Sequence, residues 1–341
     1  VDQPETANGP LISLCVPTFN RAGYLTQMLE QISCQIKAGL PAAVEVVISD
    51  NASPDSTQEV IQQFIAEHPE VRVQSLRQER NVGADANIYN AFRHATGDFI
   101  YILSDDDLFL PGALATAIDI LKSHPTLNAV TLNIRSFVDS PEEPRPQMLK
   151  LSADHLFTES DAALEFLGTF VTFLSVILFR RSLIADRDYA NRIGTSLLQS
   201  YVFLDVLVNP GGLYVTQAPL IGIRDNNTGG YNFFEVFVTN FSQLLRHATQ
   251  IGFSQAATRR VLKGHLKWLL GFVLGFKVHG TMGRLRPDFN DGRRRLLAAY
   301  GADPFLILVV LPAMYCPGRL ARTIHRQFRG FRTLLKPPKS A

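Results

Sequence analysis

Three consecutive carboxylates, Asp105, Asp106 and Asp107, stand directly after an apolar run in the stretch YILSDDDLFLPG. Carboxylates this close repel one another and cost free energy unless a cation or hydrogen-bond donors offset them. Their oxygen-only chemistry suits a hard cation, Mg²⁺ or Mn²⁺, which keeps several waters and is shared with substrate phosphates. The competing reading is a solvated turn in which Asp107 caps the next helix and Pro111 and Gly112 shape its start. Two other polar turns, PTFNR at 17–21 and SDNAS at 49–53, also close apolar runs.

The elements around these turns follow from periodicity. LISLCVPTFN reads as a buried strand ending in a proline turn, after which Leu25, Met28, Leu29, Ile32 and Ile36 recur at helical spacing. VEVVISD reads as a second strand and NASPDSTQEVIQQFI as a helix that Ser53 can cap, with Pro54 in its first turn. VRVQSL, NVGADANIYNAFRHAT, GDFIYILS and GALATAIDILKSHP continue the alternation of strand and helix. This order predicts an α/β fold with a doubly wound, mostly parallel sheet and right-handed crossovers. Ligands bind beyond the carboxyl ends of such strands, and all three polar turns fall on that rim. Farther on, VTFLSVILFRRSLI and LYVTQAPLIGIR are strand candidates, with the helical stretch SLLQSYVFLDVLV between them. Beyond Asn227 the pattern becomes helical and basic.

A chain of 341 residues, 46% hydrophobic and 19% charged, is ordered rather than disordered and long enough to bury a large core. Its net charge of +2 hides an asymmetry: residues 1–252 carry 16 Lys and Arg against 28 Asp and Glu, residues 253–341 carry 17 against 3. A basic tail of this kind points to an anionic partner. Cys15, Cys34 and Cys316 are scattered without disulfide or zinc-ligand spacing, which fits a reducing compartment. The polar start VDQPETANGP has no apolar signal region, so secretion is not expected. The longest apolar run, FLILVVLPAMYC, is too short to span a bilayer.

SLCVPTFNRAGYL, VEVVISDNASPDST, RNVGADANIYNAF and GDFIYILSDDDLFLP, in that order and spacing, resemble the nucleotide-sugar half of family 2 glycosyltransferases of the GT-A fold. The resemblance covers residues 11–225 and is nearest to bacterial enzymes of O-antigen and capsule assembly, abequosyltransferase-like enzymes among them. It implies that Pro17, Thr18, Asn20 and Arg21 line the nucleotide pocket, with Arg21 near the phosphates. Asp50 would accept a hydrogen bond from the base, with an Asx turn as its alternative role. Asn81 and Gly83 would shape the loop by the ribose, and Asp85 or Asn87 would approach the sugar. SDDD stands at the family's Asp-X-Asp signature: Asp106 takes the metal-ligand position, Asp105 the neighbouring one that contacts ribose or metal water, and Ser104 replaces the first aspartate.

Inverting relatives carry Glu-Asp at the start of a helix in the second half, the Asp being the catalytic base. Here Thr195 and Ser196 occupy those places, so the expected carboxylates are missing. Asp205 lies about two turns along the same helix. Either another carboxylate, from Asp161, Asp188, Asp205 or Glu235, supplies the base, or the transfer retains configuration with help from the departing phosphate.

From Arg319 to Lys336, Leu320, Ile324, Phe328, Phe331 and Leu335 share one helical face and Arg319, Arg322, Arg326, Arg329 and Lys336 the opposite one. Such a helix lies in the plane of an anionic membrane, whereas nucleic acid is disfavoured because the aromatics do not interleave with the basic face. HLKWLLGFVLGFKVHG, with Trp268, adds to that surface or forms a helical core. The expected organisation is therefore a tail at 1–10, a nucleotide-sugar-binding half at 11–138, an acceptor-binding half at 139–230, a helical region at 231–304 and a membrane-associating tail at 305–341. The resemblance implies a metal-dependent enzyme, peripheral on the cytoplasmic face of the cell membrane. It would move a sugar, deoxysugars included, from a nucleotide-diphosphate donor to a polyprenyl-diphosphate-linked glycan. The alternative is a catalytically silent nucleotide-sugar-binding or scaffold protein. A dinucleotide oxidoreductase is disfavoured because no Gly-rich fingerprint follows the first strand, and a nucleotidyltransferase because its Gly- and Lys-rich phosphate loop is absent.

Overall fold

The computed structural model describes residues 9–37, 43–138, 146–225, 230–280 and 285–324. The chain divides into two compact units, one of Val1–Ser160 and Thr172–Arg224, the other of Asp161–Val171 and Asp225–Ala341.

The first unit opens with β1 (Ile12–Thr18), α1 (Ala22–Lys37), β2 (Val44–Asp50), α2 (Thr57–Glu67), β3 (Arg72–Arg77), α3 (Ala84–Arg93), β4 (Phe99–Ile102) and β5 (Leu108–Phe109). It continues with α4 (Ala113–Ser123), β6 (Ala129–Phe137) and β7 (His155–Phe157). After α5 (Ser160–Leu167), most of which belongs to the second unit, come β8 (Ile177–Arg180), α6 (Leu198–Leu207) and β9 (Leu213–Arg224). Among the described residues the strands form one sheet in the order β3-β2-β1-β4-β8-β6-β9-β5, with β7 paired to β9. β1 pairs in parallel with β2 and β4, β2 with β3, and β6 with β9, while β8, β5 and β7 run antiparallel to their neighbours. β2 is buried throughout, as suits a central parallel strand covered on both faces.

The strand order fixes the place of the site. From β1 to β3 the chain moves outward in one direction, then returns past β1 to β4, so right-handed crossovers place α1 and α2 on one face and α3 on the other. Accordingly α1 packs with α2 and α4, whereas α3 packs on β1 and β2 and touches α6. The order reverses between β1 and β4, and their carboxyl ends flank the crevice that such a reversal opens. PTFNR leaves β1 and SDDD leaves β4 at this point.

Three local expectations change. The helix after β2 begins at Thr57 rather than near Ser53: its N-cap position is Ser56, and the carboxylate of the preceding Asp55 accepts from the Thr57 N–H (3.2 Å) and hydroxyl (2.6 Å). Asp107 does not cap α4, whose N-cap is Gly112 in the left-handed conformation (φ 77°). Of VTFLSVILFRRSLI only Ile177–Arg180 is strand, and a 3₁₀ turn, Gly168–Thr172, precedes it.

The second unit is helical. A π-helical turn, Glu235–Asn240, leads into α7 (Phe241–Ile251), followed by α8 (Gln255–His279), α9 (Phe289–Tyr300), a second π-helical turn, Leu306–Val310, and α10 (Leu311–Tyr315). Leu266, Leu269, Leu270, Val273 and Leu274 of α8 are buried in one cluster with Phe233, Phe234, Leu296 and Leu306, and Trp268 packs against it. The stretch HLKWLLGFVLGFKVHG therefore forms the helical core. Gly292 is required by this packing, since a Cβ there would lie 2.5 Å from the Phe234 ring. Among the described residues no helix is long and apolar enough to cross a membrane.

Candidate active site

The carboxyl ends of β1, β2 and β4 are tied by side chains far apart in sequence. Thr18 donates its hydroxyl to Asp105 Oδ2 (2.8 Å), and Arg21 Nη1 donates to Asp105 Oδ1 (2.8 Å) and lies 3.5 Å from Asp106 Oδ2. Ser104 donates its hydroxyl to Asp106, and its N–H goes to Ser175 Oγ (2.8 Å). From β2, Ser49 donates to Asn87 Oδ1 (2.8 Å), whose amide nitrogen donates to the Ser49 carbonyl (2.8 Å). Pro17 stands opposite Ser49 in the β1–β2 register. The three turns thus meet at the switch point.

Electrostatics at this edge follow from burial. Asp105 is pushed up to about 6 because desolvation outweighs the opposing pull of Arg21. Asp107 is raised further, by burial and then by the charge of Asp106, although Ser175 and the Arg224 N–H hydrogen-bond to it. The Arg21 guanidinium is raised: its burial acts against the charge, but Asp105 and Asp106 outweigh it. Asp105 and Asp106, 4% and 9% exposed, thus share a partly exposed arginine, and buried charges of this kind are screened less than surface ones.

Backbone strain concentrates at the same turns. Among the described residues the non-glycine residues with left-handed φ are Asn20 (54°), Ala52 (60°) and Ser196 (55°). Each costs on the order of 1 kcal/mol and persists only where surroundings impose it. At the first two the imposing bonds are Asn20 N–H to Ser53 Oγ (2.9 Å) and Asn51 N–H to the Thr18 carbonyl (3.0 Å).

Ser196 leads to the place where the sequence lacks its carboxylates. Gly194 and Ser196 both have positive φ, and their N–H groups donate to one oxygen of Asp85, Oδ2, at 2.8 and 2.7 Å. Successive N–H groups in such a turn form an anion-binding concavity, and Asp85, from the first turn of α3, fills it. A carboxylate thus stands just ahead of α6, although none lies in its local sequence. Burial raises the Asp85 pKa despite the hydrogen bonds from Ser196 and Gly194.

The remaining candidates have other partners. Asp50 is buried; its carboxylate accepts from the Ser53 N–H (3.0 Å) and hydroxyl and from Gln58 Nε2 (2.6 Å), the Asx-type arrangement. Asn81 Oδ1 accepts from Asn51 Nδ2 (3.0 Å) and the Gly83 N–H (2.9 Å), shaping the loop into α3. Asp205, buried on α6, is bound by Arg187 Nη1 (2.9 Å) and the Tyr189 hydroxyl (3.0 Å). Asp188 accepts from the Tyr89 hydroxyl (2.6 Å), while Asp161 and Glu235 belong to the second unit. Residues that sequence reasoning did not reach include Ser175, Arg224 and Asp55, which accepts from the Ala22 N–H (3.0 Å) at the start of α1. Only Asp55, in SPDST, carries a capping signal that could have found it.

Residues 13–187, half of the chain, match the family model described as Glycosyl transferase family 2. The chain belongs to glycosyl transferase family 2. This glycosyltransferase is 29% identical over 229 residues to abequosyltransferase RfbV of Salmonella typhimurium, an alignment spanning 64% of this chain and 67% of that one. It is 35% identical over 107 residues to the GalNAc(5)-diNAcBac-PP-undecaprenol beta-1,3-glucosyltransferase of Campylobacter jejuni, 31% of this chain and 33% of that one. Its fold is similar to that of S. aureus TarS 1–349 in complex with UDP-GlcNAc, with a TM-score of 0.65, 16% identity and coverage of 94% and 92% of the two chains. The architecture is therefore that of GT-A glycosyltransferases, a large mostly parallel sheet with C-terminal helices.

A divalent ion is the cofactor that this fold family implies. Among the described residues no group of three or more His, Cys, Asp or Glu is placed to hold a metal. The two carboxylates that share Arg21 nevertheless fit a hard cation, because Mg²⁺ and Mn²⁺ sites of this kind take one or two carboxylates and complete their shell with phosphate oxygens and water.

Proposed function

We propose that this glycosyltransferase moves a sugar, deoxysugars included, from a nucleotide-diphosphate donor to a lipid-linked saccharide in the synthesis of bacterial surface polysaccharide. The observation that carries the reading is the meeting of Thr18, Arg21, Asp105 and Asp106 at the β1–β4 switch point. Asp106 and Asp105 would hold Mg²⁺ or Mn²⁺, which when bound acts as a Lewis acid on the diphosphate. Thr18 and Ser104 each orient one carboxylate by a hydroxyl, so the remaining oxygens face a common point. In this reading Pro17, Thr18 and Asn20 would line the nucleotide side, and Asp85 or Asn87 would approach the sugar. Asp85 also holds the Ser196 N–H just ahead of α6, where inverting relatives present the base, so Ser196 offers only its hydroxyl there. The names of the two relatives, an abequosyltransferase and an enzyme whose acceptor is an undecaprenyl-linked glycan, support the acceptor class.

The release of nucleoside diphosphate from a panel of nucleotide sugars, with and without a bacterial lipid extract, tests this reading. Consumption of one nucleotide sugar only when extract and Mn²⁺ are both present is expected. Consumption of none would leave the silent-binder alternative, which the missing Glu-Asp pair favours.

A peripheral place on the anionic, cytoplasmic membrane face belongs to the same proposal. Leu308 is 73% exposed, and Ile307, Val309, Tyr315 and Leu320 are exposed beside it, while Leu306, Val310, Ala313 and Met314 turn inward. No acidic residue follows Asp303. Apolar side chains flanked by one sign of charge suit an anionic bilayer surface. Residues 318–324 are helical; the rest of the amphipathic pattern to Lys336 lies outside the described residues. Leu308→Glu is expected to reduce flotation with phosphatidylglycerol vesicles severalfold, and unchanged flotation would remove this surface from the account.

A further inference from the structure

Arg21 is close to β1 in sequence, yet its side chain, 29% exposed, reaches across the switch point to the acids after β4. The two carboxylates it meets are 4% and 9% exposed. Each gives one oxygen to a fixed hydroxyl, Asp105 to Thr18 and Asp106 to Ser104, and turns the other toward Nη1, at 2.8 and 3.5 Å. The oxygens suited to a divalent cation are therefore those that the guanidinium engages. A cation bonded to them at about 2.1 Å would lie within a few ångströms of Nη1, close enough for the two positive charges to repel. Arginine stays protonated, so it yields the position by moving rather than by losing its charge.

We propose that Arg21 and the divalent cation compete for Asp105 and Asp106, and that a nucleoside diphosphate resolves the contest by taking the guanidinium onto its phosphate oxygens. Arg21 then acts in turn as counter-ion of the acids and as ligand of the diphosphate, a planar fork suited to both. Metal and diphosphate bind cooperatively, and by linkage each raises the affinity of the other by the same factor. Metal alone binds weakly because it must displace a cation already engaged. The inference rests on the metal-dependent reading above and adds the residue that couples the two ligands.

The test titrates Mn²⁺ alone, followed by the electron paramagnetic resonance of the free ion, into the wild type, Arg21→Gln and Arg21→Lys. The titrations are repeated with saturating UDP, CDP, GDP or ADP. Arg21→Gln is expected to bind Mn²⁺ alone at least about tenfold more tightly than wild type, with coupling to the diphosphate reduced. Arg21→Lys, which keeps the charge, is expected to stay near wild type. If wild type binds Mn²⁺ with a diphosphate while Arg21→Gln gains nothing for the metal alone, the competition is refuted and the metal-dependent reading stands. If no protein binds Mn²⁺ under any condition, both fall. Circular dichroism spectra matching wild type show that the variants are folded.

Discussion

The carboxyl edge of the sheet and the centre of the helical unit bury polar groups in opposite ways. At the edge, Asp85, Asp105 and Asp107 are buried and each has partners contributed from distant segments. In the helical unit, His265 is 1% exposed, with one ring nitrogen bonded to the Tyr300 hydroxyl. Nε2 has no partner among the described residues, and the ring lies against Phe241 and Trp268. The first region surrounds its buried acids with donors from distant segments, whereas the second keeps a buried ring among aromatic neighbours. Burial of a titratable group is a functional signal only where partners and cleft geometry accompany it.

The sharpest way to break this contrast is to remove the acid at the metal position. Asp106→Ala is expected to lower metal-dependent nucleotide affinity and turnover by at least about a hundredfold while the thermal midpoint stays near wild type. Full activity would remove the metal assignment. Next in size is Asp85→Ala, which strands two N–H donors beside a strained Ser196. A loss of about 2–3 kcal/mol in urea unfolding is expected, against a smaller loss for Asp85→Asn, which keeps an acceptor.

The two regions should also answer pH with opposite slopes. Asp105 and Asp107 are raised in the fold, so the native state holds more protons than the unfolded chain above the usual carboxylate range. Their stabilisation is complete below about pH 4 and fades as pH rises through about 6 for Asp105, and higher for Asp107. His265 is lowered by burial to about 3, so stability present above about pH 6.5 is lost progressively as pH falls toward 3. Replacing it by Phe is expected to flatten the acid limb of the helical unit, by on the order of 1 kcal/mol per pH unit, in fluorescence of Trp268. An unchanged limb would assign the acid sensitivity elsewhere.

Much of the first region was legible in the sequence. From β1 to β4, alternating apolar runs and helical spacing gave the order of elements, and the polar turns were readable as one rim because parallel strands place their carboxyl ends together. The bonds that make the rim a site were not. Asp85 meets Ser196 across 111 residues and Arg21 meets Asp105 across 84, and no local period encodes such pairs. Left-handed φ at Ala52 and Ser196 was equally hidden, since of the three such residues only Asn20 is of a type that adopts it readily. Glu45 shows the same limit away from the site: a charged residue within a strand pattern, it is buried because Ser13 and Thr96 from flanking segments donate to it. In the helical unit the apolar stripe of α8 was visible, but whether it faced lipid or protein depended on Phe233, Phe234 and Leu296, whose approach only the structure shows.

In the proposed function the β1–β4 switch point binds a nucleoside diphosphate through a divalent ion. Calorimetric titration of the purified protein with UDP, CDP, GDP and ADP, each with Mn²⁺ and with chelator, addresses it most directly. One nucleotide is expected to bind in Mn²⁺ and to lose most of its affinity in chelator. Equal binding with and without metal, or none at all, would contradict it.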